Sequence, residues 1–425
     1  MKTNRRKFFA ASLAGAAAAA LPRSVAATGN DSPAYALLDV ALRRPVLKRA
    51  WFPSPVILES VELLRYKTNF LCRVRSKDGA VGLSVGNNAQ LASLYPILVN
   101  RLQPFFVGKD ARNLESLLEE VYVYQSNYKL QSVALWVPLA TIEFAILDLL
   151  GRIAHKSIGQ LIGEIHHPKI AVYQANGERD NSAEEVLANL TRQVEESQAK
   201  ALKLKIGGRM SHPEYPAGRS EKLIPMARKK FGDKMVMYAD SNGSYDVPEA
   251  VRMGRLLEDH GFAFYEEPVP FDWYQETKAV ADEVRIPIAG GEQEPSLRNF
   301  RWLIAHNALQ IVQPDMFYFG GMIRSMKVAH MAEAAGKKIT PHISGSGLGY
   351  LYMAHFASAI PNAGEFHEFK NFNRSLPFEC KTSTLRTENG TITVPTGPGS
   401  GVEIDPGYVA KHTVVPRSAS AGAGE

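Results

Sequence analysis

The chain has 425 residues, a formal net charge of +6 and only two cysteines, Cys72 and Cys380. That length is more than one hydrophobic core usually serves, so a large domain and a smaller one are expected. The charge invites a polyanion partner, but Lys2, Arg5, Arg6, Lys7 and Arg23 supply five of the positives with no acid before Asp31, so the remainder lies near +1 and no nucleic acid is expected to bind.

The chain opens Met1-Lys2-Thr3-Asn4-Arg5-Arg6-Lys7-Phe8-Phe9, runs through alanine-rich sequence to Leu21 and leaves through Ser24-Val25-Ala26-Ala27. Paired arginines before a short apolar core have the form of a twin-arginine export signal over residues 1–27, which implies the twin-arginine export machinery and a periplasmic or otherwise exported bacterial protein. Phe8 to Leu21 falls well short of the roughly 20 residues that span a bilayer, so no membrane association is expected after cleavage. The cysteines lack metal-ligand spacing, and two buried thiols are favoured over a disulfide.

Val56 to Gly86 reads as strand, turn, strand, with Lys77-Asp78-Gly79 as one turn. Helical spacing follows from Ala89 to Tyr124, then an apolar helix from Val133 to Ala154. Sheet followed by helices predicts an α+β domain over residues 45–165. From Lys169 short apolar strands alternate with helices: Ile170 to Gln174, Ala201 to Ile206, Met235 to Ala239, Ala263 to Tyr265, Ile288 to Ala289, Ile311 to Val312 and Lys338 to Thr340. That rhythm predicts a parallel barrel over residues 169–370. Turn-rich sequence after Lys370 predicts a segment 371–415 that wraps back onto the small domain, and a disordered tail over 416–425.

Barrel enzymes carry their chemistry where strands end. Asp240, Glu266 and Glu292 each follow an apolar strand, at successive separations of 26 residues. Adjacent strand ends lie roughly 5 Å apart, so three acids at one rim would repel unless a hard divalent cation sat among them; oxygen-only ligands favour one Mg²⁺ per site. Lys203 and Lys205 alternate in Ala201-Leu202-Lys203-Leu204-Lys205-Ile206 and so share the interior face. Two ammonium groups about 6 Å apart repel by roughly 3 kcal/mol at an effective dielectric near 20, which lowers one pKa by about two units and suits a general base. Asp315 and His342 end the next two strands, where an aspartate fixes the histidine tautomer and makes the other ring nitrogen an acid or base. Glu368, in Phe366-His367-Glu368-Phe369, is expected to hydrogen-bond the substrate carboxylate, with Glu365 the competing choice. His155, His166, His167, His306 and His330 show no ligand spacing and read as structural or surface groups.

Taken in order, Lys203-Leu204-Lys205, Asp240-Ser241-Asn242, Glu266-Glu267-Pro268, Gly291-Glu292, Pro314-Asp315 with Gly320-Gly321, and His342 resemble the signature of the enolase superfamily, mandelate racemase subgroup, the mandelate racemase/muconate lactonizing enzyme family. Thr141 to Gly151 and Val394 to Gly399 resemble it too, so the likeness runs from about residue 50 to 410. The resemblance implies an α/β fold, a (β/α)₇β modified TIM barrel under an α+β capping domain built from N- and C-terminal segments. It implies Mg²⁺ on Asp240, Glu266 and Glu292, Lys205 as base for one substrate face, Lys203 adjusting it and binding carboxylate oxygen, and His342 oriented by Asp315 for the other face. Asn242, Tyr318 and Glu368 join Lys203 as expected substrate contacts, and a homo-oligomer is implied.

The reaction so implied removes the proton beside a carboxylate through an enediolate. The favoured outcome is a lyase reaction, dehydration of an acid sugar to a 2-keto-3-deoxy acid, with Asn87, Asn88 and Gln90 lining the cap. Alternatives are racemisation or epimerisation of a 2-hydroxy or amino acid derivative, cycloisomerisation, and a periplasmic sugar-acid binding protein without turnover.

Overall fold

The computed structural model describes residues 33–345, 347–369, 385 and 387–418. The segment 1–27 expected to be an export signal, Cys380 and the residues from 419 onward lie outside the described residues.

Three strands open the fold: β1 (Leu58–Tyr66), β2 (Asn69–Ser76) and β3 (Val81–Val85). β1 and β2 pair antiparallel with Val61 opposite Val74 and Leu63 opposite Cys72, and β3 extends the sheet from the far edge of β2. Their buried side chains face the helix Val133–Ala154, whose bounds are those expected from its periodicity. This helix is long and apolar enough to cross a membrane, but it is almost wholly enclosed by protein. It approaches β3 so closely that a Cβ at Gly82 would lie 2.2 Å from the Ala145 carbonyl oxygen, so only glycine fits there. Cys72 lies in this core, where burial pushes its thiol up.

The second sheet holds β4 (Lys169–Ala175), β5 (Ala201–Lys205), β6 (Val236–Asp240), β7 (Phe264–Glu266), β8 (Ile288–Gly290), β9 (Ile311–Val312), β10 (Lys338–Ile339) and β11 (His367–Glu368), all parallel, with a helix in each of the seven connections. The hydrogen-bonded order runs from β10 down to β4 and then β11. The ring closes where Ile339 bridges Ala363, four residues before β11. Leu202 and Leu204 pack outward on the helices, while Tyr173, Tyr238 and Phe264 fill the barrel floor, the last two stacked at 3.9 Å. The architecture is the expected capped α/β barrel.

The C-terminal segment departs in part from the expectation. β12 (Thr391–Thr393) pairs antiparallel with β4 of the barrel, and among the described residues of this segment only β13 (Thr413–Val414) joins the first sheet, against β1. The reason is that β4 starts three residues before its pairing with β11, and β12 satisfies the exposed edge over Lys169–Ala171. At the end of the described chain the Ser418 amide donates to Asn100 Oδ1 at 2.9 Å, so residues 416–418 are tied to the cap rather than loose. A further helix, Pro33–Leu42, had no sequence counterpart. It lies on the barrel helices Leu297–Ala305 and Met322–Ala334 by burying Leu38 and Ala41 and by an Asp39–Arg301 ion pair at 2.7 Å.

Cap and barrel are joined by Glu143 on the long apolar helix. Its carboxylate accepts the amides of Met322 and Ile323 at 2.6 and 3.0 Å, the first donors of a barrel helix. Gly321 holds φ +107°, and an added Cβ would lie 1.7 Å from Glu143 Oε2. Gly321→Ala is therefore expected to cost about 3 kcal/mol or more, read as a lowered unfolding midpoint, because backbone strain and a collision with a buried carboxylate coincide.

Candidate active site

Parallel register sets Lys205 beside Asp240 and Asp240 beside Glu266, so three adjacent strands deliver their charged groups at one level of the barrel mouth. Glu292 follows β8 by two residues. Carboxylate oxygens of Asp240, Glu266 and Glu292 all lie within 4.8 Å of one another, and all three residues are buried. Lys203 and Lys205 share the interior face with them. Lys203 Nζ donates to Glu266 Oε2 at 2.8 Å and stands 3.8 Å from Asp240 Oδ2, while Lys205 Nζ is paired directly with Asp240.

The electrostatics differ from what two lysines alone would produce. Burial does act to lower Lys203, but Glu266, Tyr173, Glu368 and Asp240 outweigh it and hold its ammonium well above the ordinary lysine range. The acids respond in opposite senses. Burial, reinforced by Asp240 and Glu292, pushes Glu266 up to about 7 against the pull of Lys203. Asp240 falls despite burial because Lys205, Lys203 and Arg179 surround it, and Glu292 falls despite burial chiefly because of His342.

His342 and Asp315 sit on neighbouring strand ends linked by a bridge, across the barrel from Lys205, with β6 to β9 between them on one side and β4 and β11 on the other. Nδ1 of His342 is 2.6 Å from Asp315 Oδ2, and Nε2 faces the acid cluster, 3.2 Å from Glu292 Oε2 and 3.4 Å from Glu368 Oε2. Asp315 is itself fixed by the amides of Phe317, Tyr318 and Ser344 and by the Ser344 hydroxyl. Burial opposes charge on His342, but Glu292, Glu368 and Asp315 raise it to about 9. Glu368 is buried in this group and Glu365 is exposed, which decides between them.

Tyr318 is partly buried, with its hydroxyl near Ser344 and Gln90 of the cap. Asn87 donates to Ser344 Oγ at 3.0 Å, so the cap meets the barrel beside the Asp315–His342 pair. Asn88 turns away: it accepts from the Phe70 amide and donates to Asn69, which makes it a hairpin brace rather than part of the lining. Asn242 is also engaged on both ends of its amide, by Arg179, Lys205 and Arg209 on oxygen and by Glu267 on nitrogen. That leaves it placing its neighbours rather than presenting a free group to a substrate.

Residues 185–408 match the family described as "Enolase C-terminal domain-like", and residues 45–163 match "Mandelate racemase / muconate lactonizing enzyme, N-terminal domain". The chain belongs to the enolase superfamily. Among its relatives are an arabinonate dehydratase of Saccharolobus solfataricus, 26% identical over 80% of this chain and 89% of its own, and a D-galactarolactone cycloisomerase of Agrobacterium fabrum, 25% identical over 80% and 89%. The mandelate racemase/muconate lactonizing protein of Paracoccus denitrificans, solved in complex with magnesium, superposes with a TM-score of 0.76 at 25% identity over 85% of this chain and all of its own. Like these relatives, this superfamily member is an enzyme, a lyase or an isomerase.

The acid cluster of this enolase-superfamily enzyme suits a hard cation. Its donors are carboxylate oxygens alone, and Glu266 Oε1 is buried with no hydrogen-bond partner among the described residues. Several groups around it escaped the sequence reading. Asn176, after β4, accepts the Lys205 amide at 2.8 Å, and Arg179 reaches the Asp240 carbonyl and the Asn242 side chain at 3.3 and 2.6 Å. Glu267 is buried at φ +43° and pushed well above the carboxylate range by burial and the neighbouring acids. The rule that chemistry follows each strand would have flagged residues 176–179, had it been applied to β4 as it was to the later strands.

Proposed function

We propose that this enzyme dehydrates an acid sugar to a 2-keto-3-deoxy acid in the presence of Mg²⁺. The reading is carried by the placement of Lys205 and His342 on opposite sides of the acid cluster, with Asp315 behind the histidine. Asp240, Glu266 and Glu292 would hold the cation, which when bound makes a second negative charge on the substrate carboxylate affordable. Lys203 adds a fixed positive charge there, and it is already desolvated. Lys205 takes the α-proton. His342 Nε2 delivers a proton to the β-hydroxyl as its C–O bond breaks, water leaves, and the resulting enol becomes the 2-keto-3-deoxy acid.

Dehydration is favoured over racemisation because Glu368 and Asp315, which lie outside the three-acid cluster, stay beside His342 when a cation is bound and favour its charged form. An imidazolium donates a proton to a leaving group, whereas racemisation in both directions needs the same ring to start neutral. The dehydratase named among the relatives supports the same choice. Export is part of this proposal and rests on Arg5-Arg6 and the apolar run to Leu21; N-terminal sequencing of the secreted form would test it.

The deciding experiment is a screen of the purified protein with Mg²⁺ against mono- and diacid sugars, read as α-keto acid. The expected result is product from at least one acid sugar. Deuterium entering the α-carbon in D₂O with no keto acid formed would replace dehydration by epimerisation.

A further inference from the structure

Three cationic groups converge on one amide oxygen at the barrel mouth. Asn242 Oδ1 accepts from Arg179 Nη2 at 2.6 Å, from Lys205 Nζ at 3.3 Å and from Arg209 Nη2 at 3.4 Å. Lys205 has Asp240 as its counter-ion. Among the described residues neither Arg179 nor Arg209 has a carboxylate within ion-pair distance; Arg179 Nη1 donates to the Ile206 and Gly207 carbonyls and Nη2 to the Asp240 carbonyl, so its positive charge meets only neutral oxygens, and its Nε is buried without a hydrogen-bond partner. Two guanidinium groups so close repel each other, and an anion set between them reverses the sign of that interaction.

The backbone carrying Arg209 is held in an unfavourable form. Arg209, Met210 and Ser211 have φ of +91°, +47° and +61°, three successive non-glycine residues in the left-handed region. Such strain persists where surrounding bonds enforce it, and it gathers at ligand sites. Here the enforcement comes from the turn after β6: the amides of Met210 and Ser211 donate to the carbonyls of Asn242 and Gly243, both at 2.8 Å, and the Arg209 amide donates to Ser244 Oγ at 2.7 Å. The strained turn thereby fixes an exposed arginine beside the partly buried Arg179 and next to Lys205.

We propose that Arg209, with the positive charge of Arg179 beside it, binds a second carboxylate of the substrate, so that the enzyme acts on diacid sugars, of the aldaric class, in preference to monoacids. The inference rests on the reading that the first carboxylate lies at Asp240, Glu266 and Glu292. The planar fork of Arg209 suits a carboxylate in two-point contact, and the charge of Arg179 beside it adds selectivity for charge at the far end of the molecule. A terminal phosphate would use the same guanidinium chemistry, so the test separates the two.

The test is calorimetric binding to the Mg²⁺-loaded protein of three unreactive acids of similar length: glutarate, its monomethyl ester and 3-phosphonopropionate. Glutarate is expected to bind about tenfold or more tightly than the monoester, with that ratio falling to about one in Arg209→Gln and in Arg179→Gln. Arg209 is exposed, so its variant should fold even if the Arg179 variant does not. Equal binding of glutarate and monoester, or a ratio that survives Arg209→Gln, overturns the proposal; so does tight binding of the phosphonate alone. If glutarate shows no advantage while a monoacid sugar exchanges its α-proton, the proposed reaction stands and the diacid inference falls. If glutarate is preferred but no acid sugar exchanges, the anion subsite stands and the proposed reaction falls.

Discussion

Lys205→Arg is expected to reduce α-proton exchange by about 10²- to 10⁴-fold, as much as Lys205→Ala. The arginine variant matters because Lys205 is paired with Asp240, so removing its charge alone would disturb the acid cluster. Arginine keeps a positive charge beside Asp240 but cannot give up its proton to act as a base, since its pKa lies above about 12. Equal losses in the two variants, measured as deuterium incorporation from D₂O, assign proton removal to Lys205. Exchange within tenfold of wild type in the arginine variant would move the base elsewhere. His342→Asn separates the second step: exchange at the α-carbon should continue while keto acid formation stops, because Nε2 stands across the cluster from Lys205 and serves the departing hydroxyl. Loss of both exchange and product together would mean that His342 takes part in removing the α-proton.

Much of this site can be read from spacing, because a barrel turns sequence period into position. The two intervals of 26 residues from Asp240 through Glu266 to Glu292 reflect one strand and one helix each, and parallel register then sets the acids at one level. The alternation Lys203-Leu204-Lys205 is equally transparent, since strand side chains switch faces at each residue. The charge on Lys203 is not legible in the same way. Repulsion within the pair is a local quantity, whereas Glu266, Glu368 and Asp240 reach Lys203 from three other strands and reverse its sign. Arg209 was missed for a related reason: it lies in a turn whose backbone conformation, not its period, brings it to Asn242. The helix Pro33–Leu42 carries only a weak apolar stripe, and its place is set by barrel helices some 260 residues away in sequence that supply Arg301 and its neighbours.

The same crowding of acids makes stability depend on pH in a direction that cation binding should reverse. Glu266, raised to about 7 by burial and by Asp240 and Glu292, holds its proton more tightly folded than unfolded. Its contribution is therefore greatest below the ordinary glutamate range and is lost as pH rises toward 7, at most about 3 kcal/mol over that interval. His342 acts in the same sense at higher pH: raised to about 9, it stabilises the fold fully below its ordinary range near 6.5, and that contribution disappears as pH rises through 9. Asp240, held low chiefly by Lys205 in spite of burial, works oppositely but only in stronger acid, below its ordinary value. In chelator the unfolding midpoint should accordingly fall from pH about 5 to about 8. Added Mg²⁺ should raise it more at the higher pH, because the cation competes with protons for the same carboxylates and binds the folded chain. Glu266→Gln should lose most of the Mg²⁺ increment and flatten the fall between about 5 and 7. A Mg²⁺ increment that is independent of pH, or one unchanged by Glu266→Gln, would place the stabilising cation away from Asp240, Glu266 and Glu292.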